Sequence, residues 1–342
     1  MEPAQYRRFV LMSSPRTASN LFVKMINATD QPNVEPPSNH GGYYFFPTII
    51  KINELGLRQK PMDEWTEEER TAMLQCSQDC FNNFVKYTTE AEANGKIAFI
   101  KEHANLFFGP TDTVNLACPG RETKEDRWMV QIPGSDGKKS TRSPLNKSIM
   151  PDEYLKTLSP IILIRHPALS FPSFQRQIQQ MPAPIVCSMD AERRIAMTYQ
   201  FTASMHAYFA DLHSPEKGGE ATWPLVLEAD DIITQPDVMA QLVERMGMDM
   251  SKVLFSWEEQ SQEQIDRLPT PMRVFLGTLN ASTGLKTDRL SANIDIDVEA
   301  RKWREEFGEE IGKQVEGFVR DAMPDYEFLK AKRMMPRTSA TS

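Results

Sequence analysis

Three short stretches of this 342-residue chain group side chains that can act on an anion or move a proton. The first is Ser13-Ser14-Pro15-Arg16-Thr17-Ala18-Ser19-Asn20-Leu21. It follows the apolar run Phe9-Val10-Leu11-Met12 and runs into Leu21, Phe22, Met25 and Ile26, which recur at helical spacing. Strand, tight turn and helix in that order set the amides of Thr17, Ala18, Ser19, Asn20 and Leu21 at a helix N-terminus, where the helix dipole favours negative charge. Arg16 adds a permanent cation with a forked donor set, and Ser19 and Asn20 add neutral donors. Without a ligand to hold, the same residues read as a strand–helix turn with Ser and Asn caps. The Walker A pattern GxxxxGKS/T is absent from the chain.

The second stretch is Lys101-Glu102-His103, directly after the apolar run Ile97-Ala98-Phe99-Ile100. A neutral imidazole there can accept a proton from a hydroxyl, and Lys101 can stabilise developing negative charge. The other reading is a surface lysine and a hydrogen-bonded loop histidine. The third stretch is Arg165-His166-Pro167, with Ser173 eight residues after the arginine. An arginine at a strand end and a serine on the next helix can pinch one phosphate. The plainer alternative is an arginine paired with a carboxylate and a serine on a helix surface.

These stretches need strands to carry them. Phe9–Met12, Ile97–Ile100 and Ile161–Ile164 read as buried strands, and Trp223–Leu227 as a fourth. Helices are expected from Ala18 to about Asn27 and from Thr66 to Asn94-Gly95. The second has a Thr66/Glu69 capping box and Glu67 and Glu68 at its positive end. A further helix starts near Ala168, with Pro172 limiting it to one turn. Others span 190–211 and 236–246, and an amphipathic segment runs from Val298 to about Met323. Residues 30–63 read as loop with one short helix. Short apolar strands between helices argue an α/β fold with a mostly parallel central sheet, flanked by helices and carrying helical insertions. One domain over residues 1–331 is expected. Within it, 104–159 forms an irregular insertion or lid that includes the basic cluster of residues 138–142. Residues 250–331 are mainly helical, and 332–342 a frayed tail.

Composition narrows the function. Lys and Arg number 39 against 47 Asp and Glu, a net charge of -8, which argues against a broad nucleic-acid surface. Cys76, Cys80, Cys118 and Cys187 are too few for a disulfide scaffold and form no CxxC. No run of 18 apolar residues and no signal-peptide core is present, so no membrane association and a reducing, cytoplasmic location are expected.

Taken together and in this order, the three stretches resemble the P-loop sulfotransferase family. That family carries a loop of the form Pro-Lys/Arg-Ser/Thr-Gly-Ser/Thr-Ser/Thr after its first strand. It has Lys-x-His after a middle strand. Its third motif is Arg-Asp/Asn/His-Pro, with a serine eight residues beyond the arginine. The leader Pro151-Asp152-Glu153-Tyr154-Leu155 and the stretch Leu227-Glu228-Ala229-Asp230-Asp231 are similar to the family as well. The resemblance spans roughly residues 6–232. It implies 3′-phosphoadenosine 5′-phosphosulfate as donor, adenosine 3′,5′-bisphosphate as product, a small hydroxylated molecule as acceptor, and no metal. It implies His103 as general base, with Lys101 beside the transferring group. Arg16 and the loop from Thr17 to Leu21 would take the donor's 5′ end, and Arg165 and Ser173 its 3′-phosphate.

Ala18 and Asn20 depart from the family loop, which has Gly and Ser/Thr there. The Arg-Lys-Gly-x-x-Gly cofactor loop of cytosolic members is missing. Either Ser282-Thr283-Gly284-Leu285-Lys286, with Lys286 as its cation, or Arg301-Lys302-Trp303 stands in its place. Tyr43, Tyr44, Phe45, Phe46, Phe107 and Phe108 are expected to line the acceptor pocket, or else to be plain core. Two other readings stay open. One is an enzyme or nucleotide-binding protein with other chemistry on the same fold. The other is a P-loop kinase or ATPase, against which the missing Walker A pattern counts.

Overall fold

The computed structural model describes residues 8–37, 42–135, 140–183, 185–217, 222–268 and 270–337. Residues 136–139, which include part of the basic cluster, and 338–342 of the expected tail lie outside them. Strand β1 (Arg8–Ser13) is built on Phe9–Met12, all four fully buried, as a strand covered on both faces requires. It pairs in parallel with β2 (Ala98–His103), with Arg8 opposite Ala98 and Ser13 opposite His103. Lys101, Glu102 and His103 are therefore the last residues of the strand rather than the loop behind it. Ladder pairing with β1 carries the strand past the end of its apolar run. With β3 (Leu158–Ile164) and β4 (Leu225–Glu228) they form a four-stranded, all-parallel sheet in the order β2-β1-β3-β4, flanked by helices. Each of the three chemistry-bearing stretches follows or ends a strand at its carboxyl end, where open α/β sheets bind ligands.

The chain divides into two compact units. The first comprises Met1–Pro15, Glu35–Ile162 and Pro182–Leu225; the second comprises Arg16–Val34, Leu163–Met181 and Val226–Ser342.

In the first unit, helix α2 (Phe46–Glu54) starts inside the aromatic run. α3 (Glu67–Ala93) opens on the Thr66/Glu69 capping box with both reciprocal bonds made, and Asn94 caps its end. The stretch 104–159 carries α4 (Pro110–Ala117) and α5 (Asp152–Leu155). Its irregular part is fastened by side chains: Asn146 donates to the Met150 carbonyl and to Asp152, and Arg142 donates to the Ser148 carbonyl. The single helix expected over 190–211 is two, α7 (Met189–Ala196) and α8 (Gln200–Leu212). The break comes at Thr198, whose hydroxyl accepts from the Gln200 amide and starts a new helix.

In the second unit, α1 (Ser19–Ile26) buries Phe22, Met25 and Ile26. α6 (Pro167–Ile178) continues past Pro172 instead of stopping there. The proline forfeits one intrahelical bond, while burial of Phe171, Phe174 and Ile178 rewards the continued helix. α9 (Ala229–Thr234), α10 (Pro236–Met246), α11 (Gln262–Asp266) and α12 (Thr270–Asn280) follow. The amphipathic segment expected from Val298 to Met323 is divided into α13 (Ile296–Phe307) and α14 (Glu309–Lys330). Gly308 separates them at φ 85, a backbone angle that glycine takes without a Cβ penalty. The tail is not frayed over 332–337. Arg333 pairs in parallel with Val226, Met334 donates to the Val226 carbonyl, and Arg333 bonds Asp231. Among the described residues no helix is long and apolar enough to cross a membrane.

Candidate active site

Strand alternation sets the chemistry of the first unit. Lys101 and His103 point to one face of β2 and Glu102 to the other. Lys101 is 4% exposed, and burial pushes its amine down to about 7. Its Nζ lies 4.3 Å from the centre of the Tyr43 ring. The His103 imidazole is held at both nitrogens. Nδ1 is 3.0 Å from the Ser13 Oγ, its register partner on β1, and Nε2 is 3.1 Å from the Tyr43 hydroxyl. Glu102 is fully buried, and its Oε2 accepts from the amides of Tyr44 at 2.8 Å and Phe45 at 3.0 Å. Burial pushes the carboxyl up to about 8 despite these donors. An imidazole fixed between two hydroxyls, next to a lysine that ionises near neutrality, is suited to taking and returning a proton.

The aromatic residues separate into two groups. Tyr44, Phe45 and Phe107 are core, at most 1% exposed, with Tyr44 packed on Phe84 and Tyr87 and Phe45 on Phe84 and Phe107. Phe108 is buried against Phe201. Tyr43 and Phe46 are half-buried, with ring centres 6.4 Å apart.

The second unit holds the residues that the sequence reading assigns to an anion. Arg16 and Ala18 both adopt the left-handed backbone, each at φ 66, on either side of buried Thr17. Ala18 is the N-cap of α1 and makes no side-chain cap bond to its first turn, the place a phosphate oxygen takes at such a terminus. Ser19 is buried; Asn20 and Leu21 are half-buried. Arg16 Nε donates to the Ser173 Oγ at 3.0 Å, and its Nη1 to the Phe275 carbonyl at 2.9 Å. Arg165 donates to the Arg16 carbonyl at 3.4 Å and to the Arg289 carbonyl at 3.3 Å. Arg165 and Ser173 open onto a cavity of about 420 Å³, shared with Arg176, Arg289, Glu299 and Trp303 and floored by Leu169 and Pro172. Arg176 is bonded twice to Glu306, at 2.5 and 2.7 Å. His166 caps α6, its Nδ1 accepting from the Ala168 amide, and burial pushes it down to about 4. It shapes the turn and carries no charge to the cavity.

Lys286 is exposed and does not line this cavity, whereas Arg289 and Trp303 do. The sequence reading missed Arg289 and the Phe275 carbonyl, and no local pattern marks either. It also missed the bonds from Ser13 and Tyr43 to His103, although both residues sit in stretches it singled out. Among the described residues, no group of three or more His, Cys, Asp or Glu is placed to hold a metal ion.

No protein-family model matches the chain. It is 35% identical over 337 residues to sulfotransferase ppzF of Metarhizium rileyi, an alignment that covers 97% of both chains. It is 34% identical over 334 residues to sulfotransferase ppzF of Metarhizium majus, covering 96% of both.

Proposed function

The chain belongs to the sulfotransferase family, and from that premise we propose that it moves a sulfuryl group from 3′-phosphoadenosine 5′-phosphosulfate to the hydroxyl of a small molecule. The observation that carries the donor assignment is the join within the second unit. Arg16 of the loop is bonded to Ser173, and Arg165 is bonded to the Arg16 carbonyl, beside the 420 Å³ cavity. A cavity of this size lies within the range of small-molecule sites. With Arg176 paired to Glu306, Arg165 and Arg289 still outnumber Glu299 on its wall, which favours an anion such as phosphate. Ala18 takes the left-handed backbone that glycine adopts most readily, so the turn forms despite the departure from glycine, which supports use of the usual donor.

When bound, the donor supplies the sulfuryl group and a bisphosphate leaving group. Arg165 and Ser173 hold the 3′-phosphate, with Arg289 in the place of the missing cofactor loop. Arg16, Ser19 and the amides from Thr17 to Leu21 hold the 5′ end and offset charge there as it grows. In the first unit His103 receives the acceptor's proton, and Lys101 stabilises the negative charge that builds on the acceptor oxygen. The protein's own cations perform the neutralisation, and the reading includes no metal. Its partner is a small hydroxylated acceptor in the cytoplasm, with neither nucleic acid nor membrane.

The test uses the full-length protein, sulfur-labelled donor and a panel of phenols and alcohols. Label transfer with matching release of adenosine 3′,5′-bisphosphate supports the reading. Failure to bind the bisphosphate together with no transfer to any member would remove it.

A further inference from the structure

One short segment of the first unit engages every residue of Lys101-Glu102-His103. Gly42, at φ 81, lies so near the strand that a Cβ there would meet the Lys101 Cβ at 3.4 Å. The Tyr43 ring lies under the Lys101 Nζ at 4.3 Å. The amides of Tyr44 and Phe45 donate to Glu102. The Tyr43 hydroxyl is thereby held 3.1 Å from His103 Nε2, and the other ring nitrogen is bonded to Ser13. Nε2 is the nitrogen a general base would use, because Nδ1 faces the Ser13 hydroxyl on the neighbouring strand. An acceptor that gave its proton straight to Nε2 would first have to evict a phenol fastened from three sides. A relay through that phenol needs no eviction.

We propose that Tyr43 is a further catalytic residue, the group that meets the acceptor hydroxyl and passes its proton to His103. The proposal rests on the sulfotransferase reading. In the step, the acceptor oxygen forms its bond to sulfur as its O–H bond breaks, and that proton goes to the Tyr43 phenolic oxygen. The Tyr43 O–H breaks in turn, and its proton goes to His103 Nε2. The electron pair of the broken S–O bond stays on the leaving bisphosphate oxygen. His103 begins with Nδ1–H donating to Ser13 and Nε2 accepting from Tyr43, and ends as imidazolium. A phenol suits the middle position because its ordinary pKa, about 10, lies between those of an imidazolium and an aliphatic hydroxyl. The Lys101 ammonium over the ring stabilises negative charge as it develops there.

Tyr43→Phe is the test, because it keeps the ring under Lys101 and deletes only the hydroxyl. Benzyl alcohol and 2-naphthol serve as acceptor probes, with 3′-phosphoadenosine 5′-phosphosulfate as donor. The expected result is a fall in kcat of about 10²-fold, with acceptor KM and bisphosphate affinity unchanged. The proton inventory in H2O/D2O mixtures should be curved in the wild type, with two protons in flight, and linear in the variant. A kcat within about twofold of wild type, or a linear wild-type inventory, overturns the relay. It leaves the sulfotransferase reading standing. If the wild type turns over neither probe, ¹⁵N NMR of the His103 ring decides. An unprotonated, hydrogen-bonded Nε2 that loses its bond in Tyr43→Phe supports the relay, and a protonated Nε2 overturns it. A wild type that neither binds the bisphosphate nor transfers sulfuryl removes both readings together.

Discussion

The two chemistry-bearing clusters hold charge in opposite ways. In the first unit the ionisable groups are buried and displaced toward neutrality, with Lys101 pushed down to about 7 and Glu102 up to about 8. In the second unit the cations are arginines, Arg16 and Arg165 half-buried and Arg289 exposed, and a guanidinium keeps its charge at any working pH. The contrast matches the two tasks proposed for the clusters. A phosphate is a permanent anion and is best met by permanent cations. A proton in transit is best met by groups that change state near the working pH.

The comparison is broken most forcefully at His103. Its replacement by alanine should cut turnover by about 10²–10⁴ while bisphosphate affinity stays at the wild-type value, because the imidazole lies in the cluster proposed to handle the proton and not in the one proposed to hold phosphate. Steady-state kinetics beside calorimetric titration of the bisphosphate reads both. Loss of both together would contradict the division of labour.

Glu102 sharpens the same comparison through stability. Its folded carboxyl ionises near 8 against an ordinary 4.5, so the folded state binds its proton more tightly than the unfolded chain does. Its stabilising effect is complete below pH 4.5 and is lost as pH rises through 8. Lys101 runs the other way. Its folded amine ionises near 7 against 10.5, so its effect is present above 10.5 and lost as pH falls through 7. Glu102→Gln keeps an acceptor for the Tyr44 and Phe45 amides. It should abolish a wild-type loss on the order of 1–3 kcal/mol between pH 5 and 8. Urea unfolding across that range measures it, and parallel curves for the two proteins would count against a displaced carboxyl.

The smallest effect is expected in the anion loop. Ala18 bears the cost of a left-handed backbone, about 1–2 kcal/mol, and glycine would remove it while loosening the unfolded chain. Ala18→Gly should therefore gain about 0.5–1 kcal/mol of unfolding stability. A destabilised variant would show that the Ala18 methyl group makes packing contacts worth more than the strain.

What was legible in the sequence was local. The Thr66/Glu69 capping box and the Asn94-Gly95 stop fix α3 through bonds between near neighbours, and 236–246 is helical over the range expected. The order of the three stretches along the strands was also readable, because a short apolar run precedes each of them. What the sequence hid depends on distance along the chain. Tyr43 and His103 lie 60 residues apart, and Arg16 and the Phe275 carbonyl 259 apart. Such pairs are selected by packing, not by any pattern of neighbours. The breaks at Thr198 and Gly308 were missed for a related reason: helical periodicity continues across both, while one hydroxyl bond or one backbone angle ends the helix. Lys286 was named because it closes a glycine-containing loop, Arg289 was not named at all, and only the fold shows that Arg289 and not Lys286 lines the cavity.

Recognition of a 3′-phosphate is the task proposed for the arginine cluster of the second unit. It is tested most directly by comparing adenosine 3′,5′-bisphosphate with AMP on the wild type and on Arg165→Ala. At about 100 times its dissociation constant, the bisphosphate should stabilise the wild-type fold by about 2.7 kcal/mol, and AMP at the same concentration by clearly less. Arg165→Ala should weaken the bisphosphate by about 1.5–3 kcal/mol and leave AMP almost unchanged. Equal stabilisation of the wild type by the two nucleotides, or an equal loss of both in the variant, would contradict it.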